Sequence, residues 1–297
     1  MNSSDSRGLG CLSAPEMAKV AEDVGVYKTN KPLAHVYVSA LLAGAFISIA
    51  FVFYITVTTG TADVPFGWSK FLGGACFSLG LMLVVACGVD LFTSTILTCV
   101  ARAGGKINLS SMAANWINVY VGNFVGALSL VAIMWFAGQH TAANGQWGLN
   151  VLNTALHKVE HGFIEAVFLG IMANVMVCLA VWMNYAGKSL MDKMFILIFP
   201  IGMFVASGFE HSIANMFMIP MGIVIKNFAA PEFWLAVNLG PEKFAELTVE
   251  SFLLKNLLPV TIGNIIGGMM VGLPFWFMYL RKRQTGQARP KLALHEE

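Results

Sequence analysis

Apolar residues run along this chain in six long stretches, at about 34–59, 67–101, 109–138, 162–186, 194–225 and 256–280, separated by short polar connections. A helix needs about 20 such residues to cross a bilayer, so the first, third, fourth and sixth stretches read as single spans. The second and fifth are longer, and polar or glycine-rich residues interrupt each midway. Both are predicted to be broken helices: the second at Gly88-Val89-Asp90 and the fifth at Gly208-Phe209-Glu210.

The pattern also repeats. Gly122-Asn123-Phe124-Val125-Gly126 in the third stretch matches Gly263-Asn264-Ile265-Ile266-Gly267 in the sixth, and each half carries its own interruption. Three spans per half start the second half on the opposite membrane face, which makes the halves an inverted repeat. Paired interruptions in such halves point to a translocation site, because irregular backbone at depth survives only where it lines a cavity or is buried in protein. The G-N-x-x-G motifs read as close helix packing through small residues. Asn123 and Asn264 either join helices or line a polar path.

Composition agrees. Of 297 residues 57% are hydrophobic and 11% charged, against roughly 25% charged in soluble domains. The fold class is therefore an all-α membrane protein, organised as an N-terminal segment 1–33, a channel domain 34–280 and a tail 281–297. Residues 1–32 mix acidic and basic side chains without an apolar core, so no cleavable signal peptide is expected. Placing both termini in the cytoplasm puts 13 of the 18 Lys and Arg residues inside, as the positive-inside rule favours. The five cysteines have neither metal-ligand nor disulfide spacing. The net charge of +2 adds little, and no nucleic-acid partner is expected.

Glu210 and His211 place a carboxylate and an imidazole in the middle of the fifth stretch. Ionisable groups at that depth are costly and mark function by default. His157 and His161, four apart, could hold a metal only with a third ligand that the sequence does not supply; a surface loop ahead of the fourth span is the expectation. No phosphate-binding glycine loop and no hydrolase triad is present, and no metal or cofactor is expected. An intramembrane enzyme using Glu210 and His211 is disfavoured by the repeat. An aquaporin-like channel for neutral solutes is the nearest rival, but neither Asn-Pro-Ala motif occurs.

Asp90-Leu91-Phe92-Thr93-Ser94-Thr95, Gly208-Phe209-Glu210-His211-Ser212-Ile213-Ala214-Asn215-Met216 and Gly263-Asn264 resemble the formate/nitrite transporter family. The segments 142–150, ending Gly145-Gln146-Trp147-Gly148-Leu149-Asn150, and Asn215-Met216-Phe217-Met218-Ile219-Pro220-Met221-Gly222 are similar to its bacterial formate channels. The likeness covers roughly Ala14 to Leu280. It implies an aquaporin-like protomer in a homopentamer within the bacterial inner membrane, each protomer passing formate, nitrite or acetate; a member selective for nitrite or hydrosulfide is the alternative.

It further implies that His211 and Thr93 face each other at the pore centre as a proton relay, and that Lys158, Asn174 and Glu210 form a polar outer vestibule. Phe77 and Leu81 would narrow the cytoplasmic side, and Leu91, Phe204 and Val177 the periplasmic side. Asn264 would line the path. Leu97 to Gly105, with the Gly104-Gly105 pair, would be a mobile gating loop. Residues 16–25 form a short amphipathic helix with Met17, Val20, Ala21 and Val24 on one face, either closing the pore or resting on lipid headgroups. By family analogy it meets a cytoplasmic pyruvate formate-lyase.

Overall fold

The computed structural model describes residues 11–61 and 63–281; most of the expected tail and the first ten residues of the leader lie outside them. Among the described residues the structure is helical throughout, without strands. After α1 (Ala14–Thr29) come α2 (Leu33–Thr58) and α3 (Phe66–Ala86), then α4 (Phe92–Thr95), a 3-10 turn at Ile96–Thr98, and α5 (Cys99–Ala103). The chain continues through α6 (Leu109–Phe136), α7 (Gln146–Glu160), α8 (Phe163–Asn184), α9 (Leu190–Ala206), α10 (Ser212–Phe228), α11 (Pro231–Val237) and α12 (Leu258–Tyr279).

Helices α2, α3, α6, α8 and the stretch Ser251–Tyr279 are each long and apolar enough to cross a membrane. The fifth span is divided: α9 and α10 have 17 residues each, or about 25 Å at 1.5 Å per residue, with the break between them. The second span is likewise divided between α3 and the α4–α5 run. The sixth opens earlier than its hydropathy predicts, on a π-helical stretch, Ser251–Leu257.

Both breaks end in the same way. Gly88 (φ 65°) and Gly208 (φ 72°) adopt the left-handed conformation that glycine enters without a Cβ clash. Past them, Val89 N–H reaches back to Val84 O and Phe209 N–H to Phe204 O, each at 3.1 Å. This is the closure that satisfies the last carbonyls of a helix. The sequences G-V-D and G-F-E thus stop α3 and α9 alike.

Close approach of backbones holds each half together. A Cβ on Gly126 would stand 2.0 Å from Leu41 O of α2, and one on Gly267 would stand 2.2 Å from Ile171 O of α8. Gly74 of α3 and Gly202 of α9 meet where the halves join. With lipid outside as apolar as the helix faces, such close packing is what drives association.

Two expectations are corrected here. The segment bearing His157 is the helix α7, buried through Trp147, Val151, Leu152, Ala155 and Val159, not a loop. Residues 97–105 are mostly helical, with Leu97, Cys99, Val100 and Ala101 buried; only Gly104 and Gly105 turn the chain, Gly105 at φ 68°.

Helix α1 buries Ala18, Ala21, Glu22 and Gly25, a stripe that shares only Ala21 with the predicted one, because the helix packs against protein through its small residues Ala18, Ala21 and Gly25. Gly25 faces Ala101 and Thr98 across a gap too narrow for a side chain.

Replacing Gly267 by Val must part α8 from α12. We expect a loss of about 1–3 kcal/mol, typical of an overpacked core. It would be read as a lower Tm of the detergent-solubilised protein, with Ile266→Val, on an exposed position, as the unaffected control.

Candidate functional site

Two polar side chains hold the breaks open. Asn123 Oδ1 accepts Phe92 N–H at 2.9 Å, and its Nδ2 donates to Ala40 O (2.7 Å) and Asp90 O (3.0 Å). Asn264 Oδ1 accepts Ser212 N–H at 2.9 Å, and its Nδ2 donates to Gly170 O (2.8 Å) and Glu210 O (3.0 Å). Both asparagines are fully buried. Asn264 therefore pins backbone and does not present its carboxamide to a path.

His211 stands at the second break as N-cap of α10. Its Nδ1 accepts Ala214 N–H at 3.1 Å, and its Nε2 lies 2.9 Å from Thr93 Oγ1 at the start of α4. Because Nδ1 is occupied as an acceptor, the proton of the neutral ring rests on Nε2 and points at Thr93. The imidazole is thus a fixed donor with its cap as anchor.

A cavity of about 80 Å³ opens on the α7 side of this pair, lined by Phe51, Tyr54, Lys70, Phe77, Lys158, Phe204 and Glu210 among others. Lys158 Nζ sits 2.8 Å from Glu210 Oε1. The other carboxylate oxygen accepts from Asn215 Nδ2 (2.6 Å) and Asn256 Nδ2 (3.1 Å), and Asn256 also donates to Lys158 O (2.7 Å). The charge pair is nearly solvent-free, so its stability depends on these added hydrogen bonds.

On the opposite side a cavity of about 280 Å³ lies beneath α1, lined by Lys28, Lys31, Val84, Asp90, Ser94, Leu97 and Val181 among others. Here Asp90 takes the place of Glu210. Lys31 Nζ is 2.7 Å and Lys28 Nζ 3.3 Å from its oxygens, Ser39 Oγ donates to it at 2.9 Å, and Lys28 also donates to Thr95 Oγ1 at 3.1 Å.

Several assigned positions move. Phe77 lines the α7 cavity, its ring 5.8 Å from that of Phe204, and so belongs with Phe204 and not with a neck on the α1 side. Leu81 follows one turn later, between Phe77 and Val84, which line opposite cavities. Val177 lies one turn before Val181 of the α1 cavity and so on the α1 side of Asn174, not the α7 side. Leu81, Leu91 and Val177 are 2%, 1% and 2% exposed and line neither cavity, so they form the apolar layer between them. Asn174 does not touch Lys158; it donates to Thr93 O (3.1 Å) and Asn264 O (2.5 Å). Its role with Glu210 falls to Asn215 and Asn256.

The family model described as formate/nitrite transporter matches residues 15–277. The chain belongs to the formate/nitrite transporter family. Formate channel FocA of Escherichia coli K12 is 65% identical over 267 residues, 90% of this chain and 94% of that one. FocA of Haemophilus influenzae is 54% identical over 257 residues, 86% and 90% of the two chains.

Among solved structures, a pentameric formate channel with formate bound superposes with a TM-score of 0.80 at 48% identity, covering 84% of this chain and 98% of that one. A second, an FNT family ion channel, shares the fold with a TM-score of 0.72 at 24% identity, covering 89% of this chain and 98% of that one.

Within this formate/nitrite transporter fold, sequence reading missed Asn256 and the partners of Asp90. Asn256 had one signal, a lone carboxamide near the start of the sixth apolar stretch. Lys28 and Lys31 had none, since they lie in a leader some 60 residues before their partner.

Lys158→Met leaves Glu210 charged and unpaired in an enclosed site, a change that costs about 3–5 kcal/mol. We expect a large fall in Tm, mostly restored in Lys158→Met/Glu210→Gln. A double variant no more stable than the single one would show that the pair is not what carries the loss.

Proposed function

We propose that this chain carries formate and similar small monovalent anions of weak acids across the bacterial cytoplasmic membrane, with α1 on the cytoplasmic side and the α7 cavity outside. The reading is supported by the formate channels it is similar to, and the likeness to a pentameric structure supports a homopentamer with one passage per protomer. The observation that carries it is the His211–Thr93 contact at 2.9 Å, set in the seam between two cavities where both broken spans meet. The exposed side of α1 is the surface we assign to a formate-producing cytoplasmic partner such as pyruvate formate-lyase.

An anion entering the α7 cavity meets the ammonium of Lys158, whose field is strengthened by the low-dielectric wall of Phe51, Phe77 and Phe204. Glu210 balances that charge and prevents a permanent trap. Further in, the anion replaces Thr93 as acceptor of the His211 Nε2–H. Its onward barrier is the layer of Leu81, Leu91 and Val177, and an ion without a partner crosses such a layer at a cost of many kcal/mol. A proton delivered to Nδ1 from the α7 cavity displaces the Ala214 N–H bond and makes the ring an imidazolium; transfer of its Nε2 proton to the carboxylate then leaves a neutral ring and makes formic acid, which is neutral and crosses far more easily. The ring is reset when Nε2 takes up a proton and Nδ1 gives its own to water, so that Nδ1 again accepts Ala214 N–H. Beyond the layer, Lys28 and Lys31 receive the anion once the proton leaves.

Purified protein in liposomes should pass radiolabelled formate together with protons; failure to do so would end the reading. His211→Asn should abolish proton-coupled uptake while leaving residual anion leak, recorded with an enclosed pH indicator, and unchanged uptake across pH would remove the relay. Leu81→Ala thins the apolar layer and should raise flux several-fold or relax selectivity, measured as conductance in planar bilayers.

A further inference from the structure

A second imidazole beside the α7 cavity has no part in the passage described above. His161, in the connection from α7 to α8, has its Nδ1 3.0 Å from Glu165 Oε1. A carboxylate only accepts hydrogen bonds, so the proton of the neutral ring must sit on Nδ1. Nε2 is then a lone pair. It is buried, has no hydrogen-bond partner, and lies 4.0 Å from Glu210 Oε1.

An acceptor facing an acceptor in an enclosed place is unfavourable. A proton on Nε2 lets the ring close the 4.0 Å gap and bridge the two carboxylates through charge-assisted hydrogen bonds. The neutral ring is the poor fit and the imidazolium the good one. Resting on the transport reading above, we propose that His161 is a proton-binding site coupled to anion capture: on protonation it bonds Glu210 Oε1 and frees Lys158 for the incoming anion.

The charges around it are consistent with this. Glu165 of α8 is more than half exposed and connects the ring to bulk water. Glu210 faces the ring from the break, and Lys158 shares the same Glu210 oxygen. His157 of α7 stacks edge-on with ring centroids 4.9 Å apart, so the pair resists carrying two charges at once. Glu160 beside it on α7 is exposed. Lys255 of the neighbouring π-helical stretch is already paired with Glu246 at 2.7 Å.

Linkage makes the coupling reciprocal: if a proton on His161 tightens anion binding, a bound anion tightens proton binding equally. Acid on the α7 side therefore loads the vestibule. This site is separate from His211, whose proton occupies Nε2 in the neutral ring and whose Nδ1 is capped.

The test is radiolabelled formate exchange in proteoliposomes, with equal pH on both faces. The half-saturating concentration is compared near pH ~5.5 and ~7.5, across the range where imidazole titrates. In the unaltered protein it should rise about fivefold or more with pH, the lower end of coupling between linked sites. His161→Gln cannot titrate and should flatten this dependence. Glu165→Gln, a surface change, removes one carboxylate from the imidazolium and should move the midpoint to lower pH; it decides the matter if His161→Gln fails to assemble.

A wild-type pH dependence in His161→Gln, or an unmoved midpoint in Glu165→Gln, would overturn the inference while leaving transport intact. Absent flux in the unaltered protein would reject both.

Discussion

Cutting a membrane helix in half leaves backbone groups at a depth where no lipid can bond them, and everything in this protein depends on how those groups are satisfied. Asn123 and Asn264 do it twice, each giving an oxygen to the first N–H of the new half-helix and an amide to the carbonyl of the break residue. The splint fixes where Asp90 and Glu210 sit. It also fixes where the next residue sits, Leu91 in one half and His211 in the other. Without it the carboxylates and the imidazole would have no defined direction.

The two halves share this frame but not its chemistry. At equivalent places past the break one half has a leucine and the other a histidine, so a proton can be handled on one side of the pseudo-twofold only. The carboxylates differ too. Asp90 is held by two lysines from outside the repeat, in and just after α1, whereas Glu210 has one lysine and two carboxamides. The α1 side is therefore charge-clasped, and the α7 side is hydrogen-bonded.

Much of this was readable from residue order, and the reason is physical. A broken span requires a glycine that can adopt positive φ and a polar residue to relieve the break, and G-V-D, G-F-E and G-N-x-x-G state those needs directly. The sequence could not reveal depth along a helix axis. One turn separates Phe77 from Leu81 and Val177 from Val181, and that turn decides whether a side chain meets a cavity or the apolar layer between the two. It also could not separate an asparagine that pins backbone from one that holds a carboxylate, because Asn174, Asn256 and Asn264 all lie in long apolar stretches. Only the wide π-helical winding of Ser251–Leu257 turns Asn256 toward Glu210, and no local pattern announces that winding.

The glycine contacts have a further outcome. Where Gly126 and Gly267 rest on carbonyls of α2 and α8, any side chain would wedge the paired rods apart, so each half is assembled backbone to backbone and leaves its longer side chains to face the passage and the lipid.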